Sequence, residues 1–159
     1  EGEVFFYLGE KLILKIRQTD KKRIKTRVFN DDFVVYVHES HKTYDIKKAV
    51  EDFYKKKASE IIHDRLEYFN EFYDYKYNRV TFRNQKTRWG SCSSKKNLNF
   101  NWRLAMAPIE VIDYIVVHEL CHLKQMNHSA KFWALVEKEI PDYKKMRKWL
   151  KDNQFMLSV

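Results

Sequence analysis

Apolar and polar positions alternate with a period of two through the first 40 residues. Residues 4–8 and 12–16 flank Gly9-Glu10, and in the second run Leu12, Leu14 and Ile16 interleave with Lys11, Ile13 and Lys15. That is the pattern of a half-buried strand, and the pair reads as a hairpin. Residues 23–29 and 33–37 repeat it around Asn30-Asp31-Asp32, a stronger turn signal. An antiparallel β unit without chemistry of its own is therefore expected over residues 1–44. From residue 45 to about 73 the period becomes 3.6, with Ile46, Val50, Phe53, Ile62, Leu66, Phe69 and Phe72 on one stripe. This predicts one long amphipathic helix.

Period two returns at residues 80–83 and again at 97–105, where Leu98, Phe100, Trp102 and Leu104 alternate with Asn97, Asn99, Asn101 and Arg103. The second run predicts a strand with one polar face, either an ordinary half-buried strand or one able to take up an extended peptide by strand addition. Residues 89–94, Trp-Gly-Ser-Cys-Ser-Ser, read as a turn-rich connection. Pro108 marks the first turn of a further helix, where a missing N–H costs nothing. From Ile109 to Leu123 this helix is apolar on almost every side, as a buried helix is. Residues 129–140 predict another helix, broken by Pro141, and residues 143–150 a last one with Met146, Trp149 and Leu150 facing inward. The expected class is α+β.

Chemistry enters in the buried helix. His118-Glu119-Leu120-Cys121-His122 is an H-E-x-x-H motif. Residues four apart leave one helix face about one turn (~5.4 Å) apart, so both imidazoles can reach one metal ion. Glu119 lies roughly 100° from His118 and 60° from His122, flanking the ligand face, which suits a base better than a ligand. Zinc lowers the pKa of water to around 7, and a carboxylate there can take its proton and pass it to a leaving group. A zinc enzyme needs a third protein ligand and an open fourth position. His128 is the candidate, because Asn127 tolerates the left-handed conformation that ends a helix and Ser129 is a favoured N-cap, so the chain can turn back. His38 and His41 lack a third partner and are not expected to bind metal. Cys121 reads as a small buried apolar residue.

At 159 residues, 44% hydrophobic, the chain can bury a full core in a single domain over residues 1–159. With 3 Gly and 2 Pro, linkers and low-complexity segments are not expected. No apolar run approaches the ~20 residues of a membrane span, no signal-peptide pattern opens the chain, and Cys92 and Cys121 suggest no disulfide framework. A cytoplasmic protein with no membrane partner is expected, though the chain opens on Glu1 rather than Met, leaving room for a segment ahead of it. The net charge of +9 is compatible with nucleic acid or other anionic partners.

Taken together, Lys86-Thr87-Arg88-Trp89-Gly90-Ser91-Cys92, Asn101-Trp102-Arg103-Leu104, Ala107-Pro108, the run Y-I-V-V-H-E-L-C-H-L at 114–123, Asn127-His128-Ser129 and Phe132-Trp133 resemble the YgjP-like metallopeptidase family, a zincin group related to SprT-like and WLM proteases. The resemblance is weak at Leu8-Gly9 and strong over residues 53–150. It implies a minimal zincin-like fold, with a small antiparallel sheet packed on the active-site helix and a third His supplied by a following helix. It also implies His118, His122 and His128 as zinc ligands, Glu119 as catalytic base, and a peptide or protein substrate. Tyr143, Arg88 and Asn101 are candidates for stabilising an oxyanion, with nothing in the sequence to choose among them. The family also carries a description as a metal-dependent UTP pyrophosphatase. In that alternative Arg83, Lys86, Arg88 and Arg103 would neutralise phosphate. A third reading, a DNA-associated protease-like protein, is implied by the likeness to SprT-like proteases, which are recruited to DNA; the basic charge allows it, but no zinc finger or helix-turn-helix signature is present.

Overall fold

In the computed structural model, which describes residues 1–85 and 88–157, a long helix packs against two small sheets and carries the buried helix on its other flank. The first sheet contains β1 (Val4–Tyr7), β2 (Glu10–Gln18), β3 (Lys25–Phe29) and β4 (Asp32–Val37), in the order β1-β2-β4-β3. Both expected hairpins form. Leu8 and Gly9 turn the first with φ of 50° and 84°, and Asn30 turns the second with φ of 52°. The unit is nevertheless not wholly antiparallel, because β2 and β4 pair in parallel, Leu14 opposite Phe33 and Ile16 opposite Val35. Leu12 and Leu14 of β2 must reach the same core face as Phe33, Val35 and Val37 of β4, and joining the hairpins through their inner strands achieves this.

Helix α1 (Thr43–Tyr73) begins where Asp45 accepts the Lys42 N–H at 2.9 Å. It ends at Asp74, in the left-handed conformation, with the Asn70 amide bonded to both backbone groups of Tyr75. Val50, Tyr54, Ala58, Ile62, Leu66 and Phe69 form its buried stripe, while Phe72 is 63% exposed. The Tyr54 hydroxyl donates to Phe6 O at 2.6 Å, tying α1 to β1.

The second sheet contains β5 (Val80–Arg83), β6 (Gly90–Cys92) and β7 (Leu98–Asn101), in the order β5-β7-β6. It is mixed, since β5 runs parallel to β7 and only β6 is antiparallel to it. Part of the turn-rich connection is thus the strand β6. The run expected as strand over 97–105 stops at Asn101, whose side chain accepts the Arg103 N–H at 3.0 Å and caps a short 3₁₀ helix, Trp102–Met106. Trp102, Leu104, Ala105, Met106 and Ala107 are all buried and Arg103 is partly so, a run of consecutive buried residues that a strand with one wet face could not give. The first hairpin docks on it through Leu8 N–H to Ala105 O at 2.9 Å and Gly9 N–H to Met106 O at 2.8 Å. A Cβ at Gly9 would stand 2.9 Å from Pro108 Cγ, so the N-terminal turn abuts the start of the next helix.

That helix, α2 (Ile109–His122), is followed by α3 (Ala130–Glu139) and α4 (Tyr143–Asp152). Val111, Ile112, Val116, Val117 and Leu120 are each no more than 1% exposed. Each such side chain contributes ~1.5–3 kcal/mol by leaving water, so α2 is fixed in rotation and height by its packing. A two-pronged ion pair adds to this: Arg65 of α1 donates to Asp113 of α2 at 2.6 and 2.9 Å. Among the described residues no helix is long and apolar enough to cross a membrane.

Removing Arg65 leaves Asp113 partly buried without its partner. Arg65→Ala is expected to lower stability by about 2 kcal/mol in urea denaturation. The double variant Arg65→Met/Asp113→Leu should recover most of that loss, because deleting both halves of a pair costs less than orphaning one.

Candidate metal centre

Three elements converge at the C-terminal end of α2. His118 and His122 leave the same face of the helix, as their spacing requires. After His122 the chain tightens, with the Lys124 and Gln125 N–H groups both bonded to Cys121 O, and reverses through residues 125–129. Asn127 does not take the left-handed conformation expected of it; the reversal is made without a positive φ. Ser129 does cap α3, accepting the Phe132 N–H at 3.3 Å, and His128 sits immediately ahead of that cap.

The three imidazoles meet at their Nε2 atoms. His122 Nε2 lies 3.0 Å from His128 Nε2, which lies 3.2 Å from His118 Nε2. Tetrahedral zinc with Zn–N bonds of about 2.0–2.1 Å sets its ligand nitrogens roughly 3.3 Å apart, so the spacing fits one divalent ion. Among the described residues these three form the one group of His, Cys, Asp or Glu placed to hold a metal. His38 and His41 instead close their own turn, with the His38 N–H donating to His41 Nδ1 at 2.9 Å.

The rings are held in the tautomer a metal needs. His122 Nδ1 is 3.1 Å from Gln125 O, a group that can only accept, so the proton is on Nδ1 and the Nε2 lone pair is free. His118 Nδ1 is 3.1 Å from the Tyr114 hydroxyl, which can accept in the same way. Burial lowers the pKa of His118 to about 3, with His122, His128 and Arg147 adding to the effect, and burial lowers that of His122 as well. Both are neutral imidazoles near pH 7. Phe132, fully buried, stacks on His122 at 4.3 Å between ring centres and meets His118 edge-on at 4.9 Å; Trp133 stacks on His128 at 5.8 Å.

Glu119 points elsewhere, into the sheet. It is 3% exposed, burial raises its pKa to about 8 against a weaker opposing effect of Arg88, and its Oε1 has no hydrogen-bond partner among the described residues. A buried carboxyl without a partner is costly, and a divalent cation beside it would favour its ionised form. Its seat is Gly90 of β6: a Cβ there would stand 2.8 Å from Glu119 Oε2 and 3.0 Å from Cγ.

Two cavities open on either side of this carboxyl. One, of about 530 Å³, lies between α2, the segment ahead of β6, and α4; the other, of about 280 Å³, runs past Ser91, Cys92 and Met126 to the three imidazoles. Of the oxyanion candidates, Arg88 borders both. Asn101 is spent on structure, donating to Gln85 O and Arg88 O, and Tyr143 is stacked between Trp133 and Tyr114. Tyr114 and Gly90 were not singled out from the sequence, although Tyr114 lies four residues before His118, the helical spacing for such a contact.

Fold and site define a metallopeptidase. The chain belongs to the YgjP-like metallopeptidase family, whose domain model matches residues 1–153. Among solved structures, the crystal structure of the metallopeptidase zymogen of Pyrococcus abyssi abylysin is similar, with 27% identity and a TM-score of 0.53 over 58% of this chain and 95% of that one. No curated protein matches. Lys86 and Thr87, part of the motif that carries the resemblance, lie outside the described residues.

Two outcomes are expected here. Tyr114→Phe removes the partner of His118 Nδ1 and should weaken binding of a divalent metal ion by ~10-fold in chelator competition. Gly90→Ala pushes a methyl group into Glu119 and should cost ~1–3 kcal/mol in urea denaturation while metal content stays at the level of the unmodified protein.

Proposed function

We propose that this metallopeptidase is a zinc enzyme in which His118, His122 and His128 hold the ion and Glu119 is the catalytic base. The observation that carries the reading is the convergence of three Nε2 atoms beside a buried carboxyl that has no partner of its own. When bound, zinc supplies a Lewis acid that polarises a carbonyl and brings the pKa of water to around 7. Glu119 then takes the proton of the attacking water on its carboxylate and hands it to the leaving amine. Gly90 holds that carboxylate in place, and the Phe132 and Trp133 rings keep the imidazoles from turning. Arg88 is the side chain best placed to meet charge developing on the substrate.

Substrate would lie along β6 rather than along the polar-faced strand β7. Strand β7 is central, with β5 and β6 occupying both edges, and its Asn99 is engaged by Thr81 on one side and by Ser91 at 3.2 Å on the other. Strand β6 is the edge beside α2. Asn101 N–H bonds Trp89 O, and Ser93 N–H bonds Asn97 O. Hydrogen-bonded pairs alternate along an antiparallel ladder, so Gly90 and Cys92 turn their N–H and C=O groups away from β7, toward the cleft. An extended peptide can pair with them there.

Hydrolysis of a nucleoside triphosphate such as UTP draws less support. Of the cations expected to meet phosphate, Arg88 borders the site, whereas Arg103 donates to Asn84 Oδ1 at 3.0 Å and Leu157 O at 3.1 Å and lies over Trp102. Lys86 lies outside the described residues.

The test is zinc content together with turnover of casein-derived peptides and of UTP. Glu119→Gln should keep its zinc and lose at least ~100-fold in peptide turnover, the scale of a general base. His122→Ala should lose both. Peptide turnover unchanged in Glu119→Gln, or UTP hydrolysed while peptides are left whole, would overturn the assignment.

A further inference from the structure

The larger cavity beside Glu119 carries two cations, Arg147 and Lys151, to which the proposed mechanism gives no part. Arg88 approaches it from the strand side, and Arg147 and Lys151 from α4, one helical turn apart on the same face. Among the described residues none of these three is ion-paired: the carboxylate on α4, Asp152, is taken by Lys148 at 2.5 Å. Among the described residues Glu119 is the one acid on the cavity wall, and Ile115, Leu150 and Trp89 add apolar surface to the same wall. Arg147 is held in place, its guanidinium 4.7 Å above the Trp133 ring. The smaller cavity shares Arg88 and Glu119 but, among the described residues, has no second Lys or Arg. Cations on a cleft wall without a carboxylate paired to them leave an electrostatic demand there that an incoming anion meets.

We propose that this cavity is a specificity subsite for an acidic side chain, Asp or Glu, on the residue that follows the cleaved bond, with Arg147 and Lys151 as its determinants. The inference rests on the peptidase reading and on peptide pairing along β6. The large cavity lies at the Arg88–Gly90 end of β6 and the small one at the Cys92 end. Antiparallel pairing, the more stable of the two arrangements, sets the C-terminal part of the substrate beside the start of β6 and hence beside the cations. The methylene stem of Glu covers Ile115 and Leu150 while its carboxylate reaches the guanidinium and ammonium groups.

The zinc-loaded protein is incubated with a mixture of peptides, acetylated and amidated at their ends so that no terminal carboxylate is present, and the cut sites are read by mass spectrometry. Asp and Glu should be enriched after the cut by ~10-fold over Lys and Arg, a difference of about 1.4 kcal/mol. In Arg147→Glu and in Lys151→Glu, made separately so that either serves if the other misfolds, the ratio of kcat/KM for a Glu peptide to that for its Lys counterpart should fall by at least ~10-fold, with zinc content and circular dichroism unchanged. Efficient cleavage without acidic enrichment at that position, enrichment before the cut instead, or a ratio left in place by both variants would overturn the subsite while sparing the peptidase reading. Absence of cleavage of any peptide by the zinc-loaded wild type would overturn both.

Discussion

A carboxyl and an imidazole buried in the wall of an otherwise apolar helix set the terms for the structure around them. Glu119 and His122 are 3% and 7% exposed on α2, whose neighbouring side chains are almost all hydrocarbon. Such groups are tolerated only where something polar or charged meets them. His122 is met by a backbone carbonyl and by His128. Glu119 Oε1 is met by nothing among the described residues, so its demand for a polar partner is left open on the cleft wall. The glycine in β6 follows from the same constraint, since any side chain at position 90 would collide with the carboxyl.

Rigidity is supplied from outside the site. The apolar flanks of α2 pack on α1, α3 and α4, the Arg65–Asp113 pair links α1 to α2, and the first hairpin braces Pro108 at the N-terminal end of α2. On the other side, Phe132 and Trp133 of α3 press ring faces and edges against all three imidazoles. A ligand set on packed helices keeps its geometry better than one on loops. The exposed His128 depends most on this, because it stands in the reversal between two helices and has Phe132 and Trp133 as its ring supports.

Helix α4 closes the cleft and brings charge to it. Its inner residues Tyr143 and Leu150 are buried, while Arg147 and Lys151 face the cavity. The cations therefore flank the anchoring stripe, Arg147 roughly 40° and Lys151 roughly 80° around the helix from Tyr143. This placement matters for the proposed selectivity, because those two cations are supplied from outside the H-E-x-x-H helix. Reach and chemistry are divided between α2 and α4.

The H-E-x-x-H spacing, the apolar character of α2, the Ser129 cap and the long 3.6-period stripe of α1 are local properties, fixed by residues within one or two turns of each other. For that reason the sequence alone determined the helices, the three convergent histidines and the flanking carboxyl. It also determined both N-terminal hairpins, whose turns are built from adjacent residues. What only the tertiary structure decided depends on residues far apart in the chain. The parallel joining of β2 to β4, the central place of β7 that leaves β6 as the open edge, and the seating of Glu119 against Gly90 are contacts that no periodicity encodes. The end of β7 at Asn101 belongs with them, since alternation continues through Leu104 while the chain there folds into a 3₁₀ helix capped by Asn101 and largely buried. The gathering of Arg88, Arg147 and Lys151 around one cavity is of the same kind: Arg88 reads from the sequence as a candidate for meeting substrate charge, but only packing α4 against α2 brings Arg147 and Lys151 to the same cavity.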